Sequence, residues 1–140
     1  MDLKKECDRY EGLLNNSEID LQILGVGRNG HIAFNEPYTS FLEGVHTVLL
    51  TNDTIAANAR FFDNLNKVPT QALTMGIKNI LKSKKIILLA VGTSKSEAMY
   101  RFFNENINAG LPISALKNHD DITIIMDYES SSKLFKHLNE

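Results

Sequence analysis

His31 is the residue in this sequence whose chemistry is easiest to use at neutral pH, because imidazole titrates there and can both take and give a proton. It lies in the stretch Gly25-Val26-Gly27-Arg28-Asn29-Gly30-His31-Ile32-Ala33-Phe34-Asn35-Glu36-Pro37. Glu36 follows His31 closely and is able to orient or charge-tune it. Asn29 precedes it and offers an amide to the imidazole or to a substrate hydroxyl. Gly27 and Gly30 let backbone N–H groups come close to a ligand. A base held by a carboxylate is the general pattern of acid–base catalysis. The same residues taken alone also suit a plain glycine turn with a capping histidine and a surface glutamate.

Two further places carry charge in a suggestive setting. Val91-Gly92-Thr93-Ser94-Lys95 follows an apolar run and puts hydroxyls, helix N-terminal amides and a lysine into one turn. Helix N-termini attract anions, whereas a cation in the first turn opposes the helix dipole. A bound phosphate would explain Lys95; so would a side chain that points to solvent. Arg60, inside ANARFF, is able to cover an oxyanion bidentately, or lies on a solvated helix face.

Gly25, Gly27 and Gly30 also form a formal GxGxxG after a strand, with Asp53 where a ribose-binding acid would fall. A dinucleotide site needs a helix to start at those glycines. His31, Asn35, Glu36 and Pro37 are poor material for that helix, so no nicotinamide, flavin or other cofactor is expected. His46, His119 and His137 have no ligand spacing with one another, so no metal site is expected.

The elements that must hold these residues follow from apolar spacing. Residues 2–14 carry Leu3, Cys7, Tyr10, Leu13 and Leu14 at helical intervals. Residues 19–26 read as a buried strand, 27–44 as a long loop and 45–51 as a second strand. Helices are expected over 52–62 and 73–81. Residues 85–91 form the clearest buried strand, followed by a helix over 94–106 that opens with the capping box Ser94-x-x-Glu97. A short helix at 112–116, a fourth strand at 122–126 and a helix at 130–138 complete the chain. Strands alternating with helices imply an α/β protein: one domain over residues 1–140, a four-stranded parallel sheet and helices on both faces.

Composition narrows the function classes. The 140 residues hold 15 Lys+Arg and 17 Asp+Glu, a net charge of -2, so no basic excess points to nucleic acid. The single cysteine, Cys7, rules out an internal disulfide framework and fits a reducing compartment. There is no apolar run of membrane-spanning length, and the charged N-terminus lacks the core of a signal peptide. A cytoplasmic location without membrane association is expected.

GHIAFNEP resembles the corresponding loop of the glucosamine-6-phosphate deaminase (isomerase) family. ANARFFDN, VPTQALTMG and ILLAVGTSK resemble successive segments of the same family, in order. The resemblance implies a three-layer, Rossmann-like parallel α/β fold, shared with the phosphogluconolactonases. It implies conversion of glucosamine 6-phosphate to fructose 6-phosphate and ammonia, with a small sugar phosphate as the partner. By that resemblance His31 is the acid–base group for ring opening, and Glu36 its partner. Asn29 stands where members carry aspartate or asparagine. Arg60 and Lys95 match the phosphate-binding cations, with Gly27 and Gly30 lining the substrate.

The family pattern begins with a further α/β segment that bears a Gly/Ser-rich phosphate loop and the aspartate that takes the C2 proton. No Ser-Gly-Gly-Ser stretch precedes the first helix here, and Asp2 is the only aspartate before Asp8. The expectation is therefore a fold incomplete on its N-terminal side, as in a fragment, with weak or absent turnover. An open sheet edge and apolar face then favour self-association or a partner chain. Residues 41–48 lack the basic pair that the allosteric members use, so activation by an amino-sugar phosphate is not expected. The alternatives are a non-catalytic sugar-phosphate-binding or assembly module and a lactonase-like hydrolase with His31 as base.

Overall fold

Asp2 starts the first helix: its carboxylate accepts the N–H groups of Lys4 and Lys5, two of the donors that a helix start leaves free. In the computed structural model, which describes residues 2–135, that helix is α1 (Leu3–Asn15), followed by β1 (Leu21–Gly25), β2 (His46–Leu49) and α2 (Asn52–Asn58). Next come β3 (Gln71–Thr74), α3 (Ile77–Ile80), β4 (Lys85–Ala90), α4 (Ser96–Asn104), β5 (Ile122–Met126) and α5 (Ser132–Phe135). The protein is α/β, as its alternating pattern implies.

The parallel sheet has three strands in the order β1-β4-β5. Leu24 pairs with Leu88 and Leu88 with Ile124, so these side chains share one face. Leu24, Ile86, Leu88 and Ala90 are buried there beneath Ile77 and Ile80 of α3, Met99 and Phe102 of α4, and Leu111, Ile113 and Leu116. The last three belong to or flank the 3-10 turn Pro112–Asn118, where the sequence suggests a helix at 112–116.

The other face lacks the helices expected on it among the described residues and is instead the open apolar face expected of an incomplete fold. Leu21, Ile23, Leu89 and Ile125 lie on it and are 47%, 58%, 39% and 51% exposed. Among the described residues, the packed helical layer lies on one face of this sheet. The expected fourth parallel strand is also absent from it. Residues 45–51 contain β2, but β2 pairs antiparallel with β3 in a separate two-stranded ribbon, with His46 opposite Thr74 and Val48 opposite Ala72.

That pairing corrects the helix expected over 73–81. Ala72 and Leu73 favour helix locally, but pairing with β2 draws the chain out, since tertiary context overrides weak propensity. Only Ile77–Ile80 remain helical, starting after Gly76. The helix expected over 52–62 stops at Asn58, whose amide donates to the Thr54 carbonyl, and continues as a 3-10 turn, Ala59–Phe61. The capping box at Ser94 does not form. A 3-10 turn, Thr93–Lys95, comes first, and Glu97 pairs instead with Lys133. Residues 136–138 of the last expected helix lie outside the described residues.

Leu88→Ala is expected to cost roughly 2–5 kcal/mol of stability. Ile23→Ala should cost no more than about 0.5 kcal/mol at dilutions where the chain is monomeric. Urea denaturation reads both, and equal losses would mean that the open face is covered.

Candidate active site

Parallel strands bring their carboxyl ends to one side, and three turns meet there. β1 leads to Gly27–His31, β4 to Gly92–Lys95, and β5 to Asp127–Ser130. The first turn closes through Gly30 N–H to the Gly27 carbonyl at 3.0 Å and Gly27 N–H to the His31 carbonyl at 2.8 Å. Gly27 has to be glycine, because a Cβ there would stand 2.1 Å from the His31 ring. Gly30 sits at φ 83, and a Cβ on it would strike Leu111.

Asn29 organises the histidine. Its Oδ1 accepts the His31 backbone N–H at 3.2 Å, which fixes the amide orientation because a backbone N–H only donates. The same Oδ1 lies 2.8 Å from His31 Nδ1. Nδ1 therefore carries the proton in the neutral ring, and Nε2 keeps its lone pair. Asn29 Nδ2 donates to Glu36 Oε2 at 2.6 Å, while Glu36 Oε1 stands 3.4 Å from His31 Nδ1. The neutral amide thus links base and carboxylate in one chain.

Charge around the ring is balanced unevenly. Burial pushes the His31 imidazole below its ordinary value; Glu36 opposes that shift, and Lys95 adds to it. Lys95 is itself lowered, first by burial and then by Arg28. Lys95 thus stands beside the histidine with Arg28 next to it, and neither cation forms an ion pair among the described residues. An anionic ligand there would favour the charged form of Lys95.

Asp127 fixes the Lys95 turn from β5. Its carboxylate accepts Gly92 N–H at 2.9 Å and Ser130 N–H at 2.7 Å. Ser130, first, and then Gly92 hold it below the usual carboxylate range.

The structure thus brings together His31, Asn29, Glu36, Gly27, Gly30 and Lys95. Arg60 stands apart: it is exposed, its guanidinium lies 4.7 Å from the centre of the Phe61 ring, and no described hydrogen bond joins it to the His31 cluster. Sequence reasoning misses Arg28, which carried no signal beyond its place in the turn. It misses Asp127 too, although an aspartate just after a strand, two residues before Glu129-Ser130, is a turn-forming pattern. His46 and His119 serve the backbone, at the Gly44 and Ser83 carbonyls. His137 lies outside the described residues.

Residues 1–125 match the family of glucosamine-6-phosphate isomerases/6-phosphogluconolactonase. Glucosamine-6-phosphate deaminase of Listeria innocua is 50% identical over 133 residues, 95% of this chain and 57% of its own length. Glucosamine-6-phosphate deaminase 1 of Bacillus subtilis is 50% identical over 132 residues, 94% of this chain and 54% of its own. The chain therefore spans little more than half the length of these curated relatives. Among solved structures, a monomeric glucosamine-6-phosphate deaminase superposes with a TM-score of 0.88 at 50% identity, over 94% of this chain and 55% of that one. The 6-phosphogluconolactonase of Trypanosoma brucei, at 16% identity and a TM-score of 0.73 over 95% of this chain and 54% of that one, shares the fold.

The depressed His31 sets a pH dependence. Its folded value lies below 6.5, so between the two values the unfolded chain binds the extra proton. Stability should therefore be full above pH 6.5 and fall as pH drops through that window. Urea titrations across this range should show a shallower slope for His31→Gln; an unchanged slope would mean that His31 is not the group responsible.

Proposed function

Because the chain belongs to the glucosamine-6-phosphate isomerase/6-phosphogluconolactonase family, we propose that it carries the acid–base and cationic residues of an amino-sugar phosphate deaminase. The reaction is glucosamine 6-phosphate plus water to fructose 6-phosphate plus ammonia. What carries this reading is the convergence of His31, Asn29, Glu36 and Lys95 at one end of the sheet, in a chain 50% identical to deaminases.

His31 opens the sugar ring. Asn29 occupies Nδ1, so Nε2 is the basic nitrogen. Nε2 takes the proton of the C1 hydroxyl, the C1–O5 bond breaks as the C1 carbonyl forms, and the proton passes to O5. Glu36 steadies the imidazolium formed in between, at 3.4 Å from Nδ1. Lys95 neutralises the phosphate; the family resemblance makes Arg60 a second cation for it, although in this structure Arg60 stacks on Phe61 away from the cluster. The resemblance sets Gly27 and Gly30 beside the substrate; in this chain they leave room for the His31 ring and for Leu111 in the turn that presents the histidine.

Isomerisation also needs a base for the C2 proton. The family resemblance puts that aspartate in a segment outside this sequence. On its own, the chain is proposed to bind the sugar phosphate while turning over weakly or not at all, since a missing proton-transfer group costs roughly 10²–10⁴-fold. The same chain is proposed to self-associate in isolation through the open face that carries Leu21, Ile23, Leu89 and Ile125, because large exposed apolar patches promote association.

Calorimetry with glucosamine 6-phosphate should show binding, weakened roughly tenfold or more in Lys95→Ala, as loss of a charge-assisted contact requires. Absence of binding would overturn the reading. Fructose 6-phosphate release should be low and should vanish in His31→Ala; release at an ordinary enzyme rate of about 10 s⁻¹ would refute the need for a further base. Light scattering should show species larger than a monomer at micromolar concentration, and a monodisperse monomer would contradict self-association.

A further inference from the structure

Asn35 is fully buried, at 0% exposure, and immediately precedes the glutamate in the loop that joins it to the histidine. Its Nδ2 donates to the Ile32 carbonyl at 3.0 Å and to the Met75 carbonyl at 2.8 Å. Its Oδ1 has no hydrogen-bond partner among the described residues. An unpaired buried acceptor is destabilising, which a side chain chosen for packing alone would avoid. The two donors are what this residue supplies.

They act on the two neighbours that matter. Ile32 adjoins His31, and Asn35 itself adjoins Glu36. Five extended residues would separate His31 from Glu36 by roughly 17 Å. Instead Nδ1 and Oε1 stand 3.4 Å apart, so the loop must double back. It does so through a tight turn: Asn35 N–H bonds the Ile32 carbonyl at 3.0 Å, and Ala33 takes φ 51, an unusual value for a residue with a Cβ. Such a turn persists only when its surroundings over-determine it. Asn35 anchors it to the stretch between β3 and α3, and Phe34 N–H adds a tie to Thr74 Oγ1 at 3.2 Å.

We propose that Asn35 is the positioning residue of this site: by tethering the Ile32 and Met75 carbonyls, its amide folds the loop so that Glu36 meets His31. The proposal deepens the deaminase reading and rests on it for its catalytic consequence alone. The groups that face His31 are Glu36 and Lys95, with Arg28 acting on Lys95 and the neutral Asn29 between ring and carboxylate.

The test is a double-mutant cycle read by NMR titration of the His31 ring in the full chain. Glu36→Gln should lower the His31 midpoint, because it removes the charge that favours imidazolium. In an Asn35→Ser background the same change should move it by less than about half as much. An equal shift in both backgrounds would overturn the proposal. Should Asn35→Ser fail to fold, exchange of the Asn35 side-chain amide protons in the unaltered chain decides. Exchange as slow as that of the core strand amides upholds the tether, and exchange at the rate of exposed side-chain amides overturns it. Neither readout needs turnover, so a failure of the deaminase reading would appear separately, as missing sugar-phosphate binding.

Discussion

β1 and β4 run parallel in register from Leu21 opposite Lys85 to Gly25 opposite Leu89, so both strands end at one level. β5 adds its own end beside them, with Ala90 opposite Met126. The turns that follow have nowhere to go but against one another. His31 comes from the first, Lys95 from the second and the Asp127 clamp from the third. Parallel sheets place ligand sites at strand carboxyl ends for this reason. No residue of the cluster would keep its place if the register slipped by one, because a slip moves the core-facing set to the opposite face.

Within that frame the site works against its own electrostatics. Burial favours a neutral imidazole, and Lys95 reinforces the preference, while Glu36 opposes it. Asn29 lets carboxylate and ring share a hydrogen-bond chain without adding a second negative charge. In the proposed ring opening, where His31 would both accept and return a proton, such a balance helps, since acid–base catalysis is best when neither form is locked in. Lys95 is held down by burial and by the neighbouring Arg28, so an anion at that place would favour its charged form.

The one-sided sheet is the second organising feature. Ile86, Leu88 and Ala90 are buried, while their strand neighbour Leu89 and its counterparts Ile23 and Ile125 remain exposed. Alternation along a strand makes this unavoidable when a single layer covers the sheet. The strands themselves read as continuous apolar runs, which is the pattern of a sheet covered on both faces. The sequence pattern and the packing of the described residues therefore disagree at these positions, in a chain that spans little more than half of its relatives' length.

Much of the fold is legible in the sequence alone. The apolar stripe of α1, the runs of β1, β4 and β5, and the loop over 27–44 follow from local rules, because helical periodicity, strand alternation and glycine freedom act within a few residues. The GHIAFNEP string marked the family and drew attention to His31 and Glu36, with Asn29 just before it. Tertiary structure alone decided that Leu73 and Thr74 are strand rather than helix, that β2 leaves the parallel sheet, that Arg28 stands by Lys95, and that Asn35 reaches Met75. Each of these depends on a partner distant in sequence, as in the Asn35–Met75 bond across 40 positions. Local periodicity reports which side of an element is apolar; only the folded chain determines what that side meets.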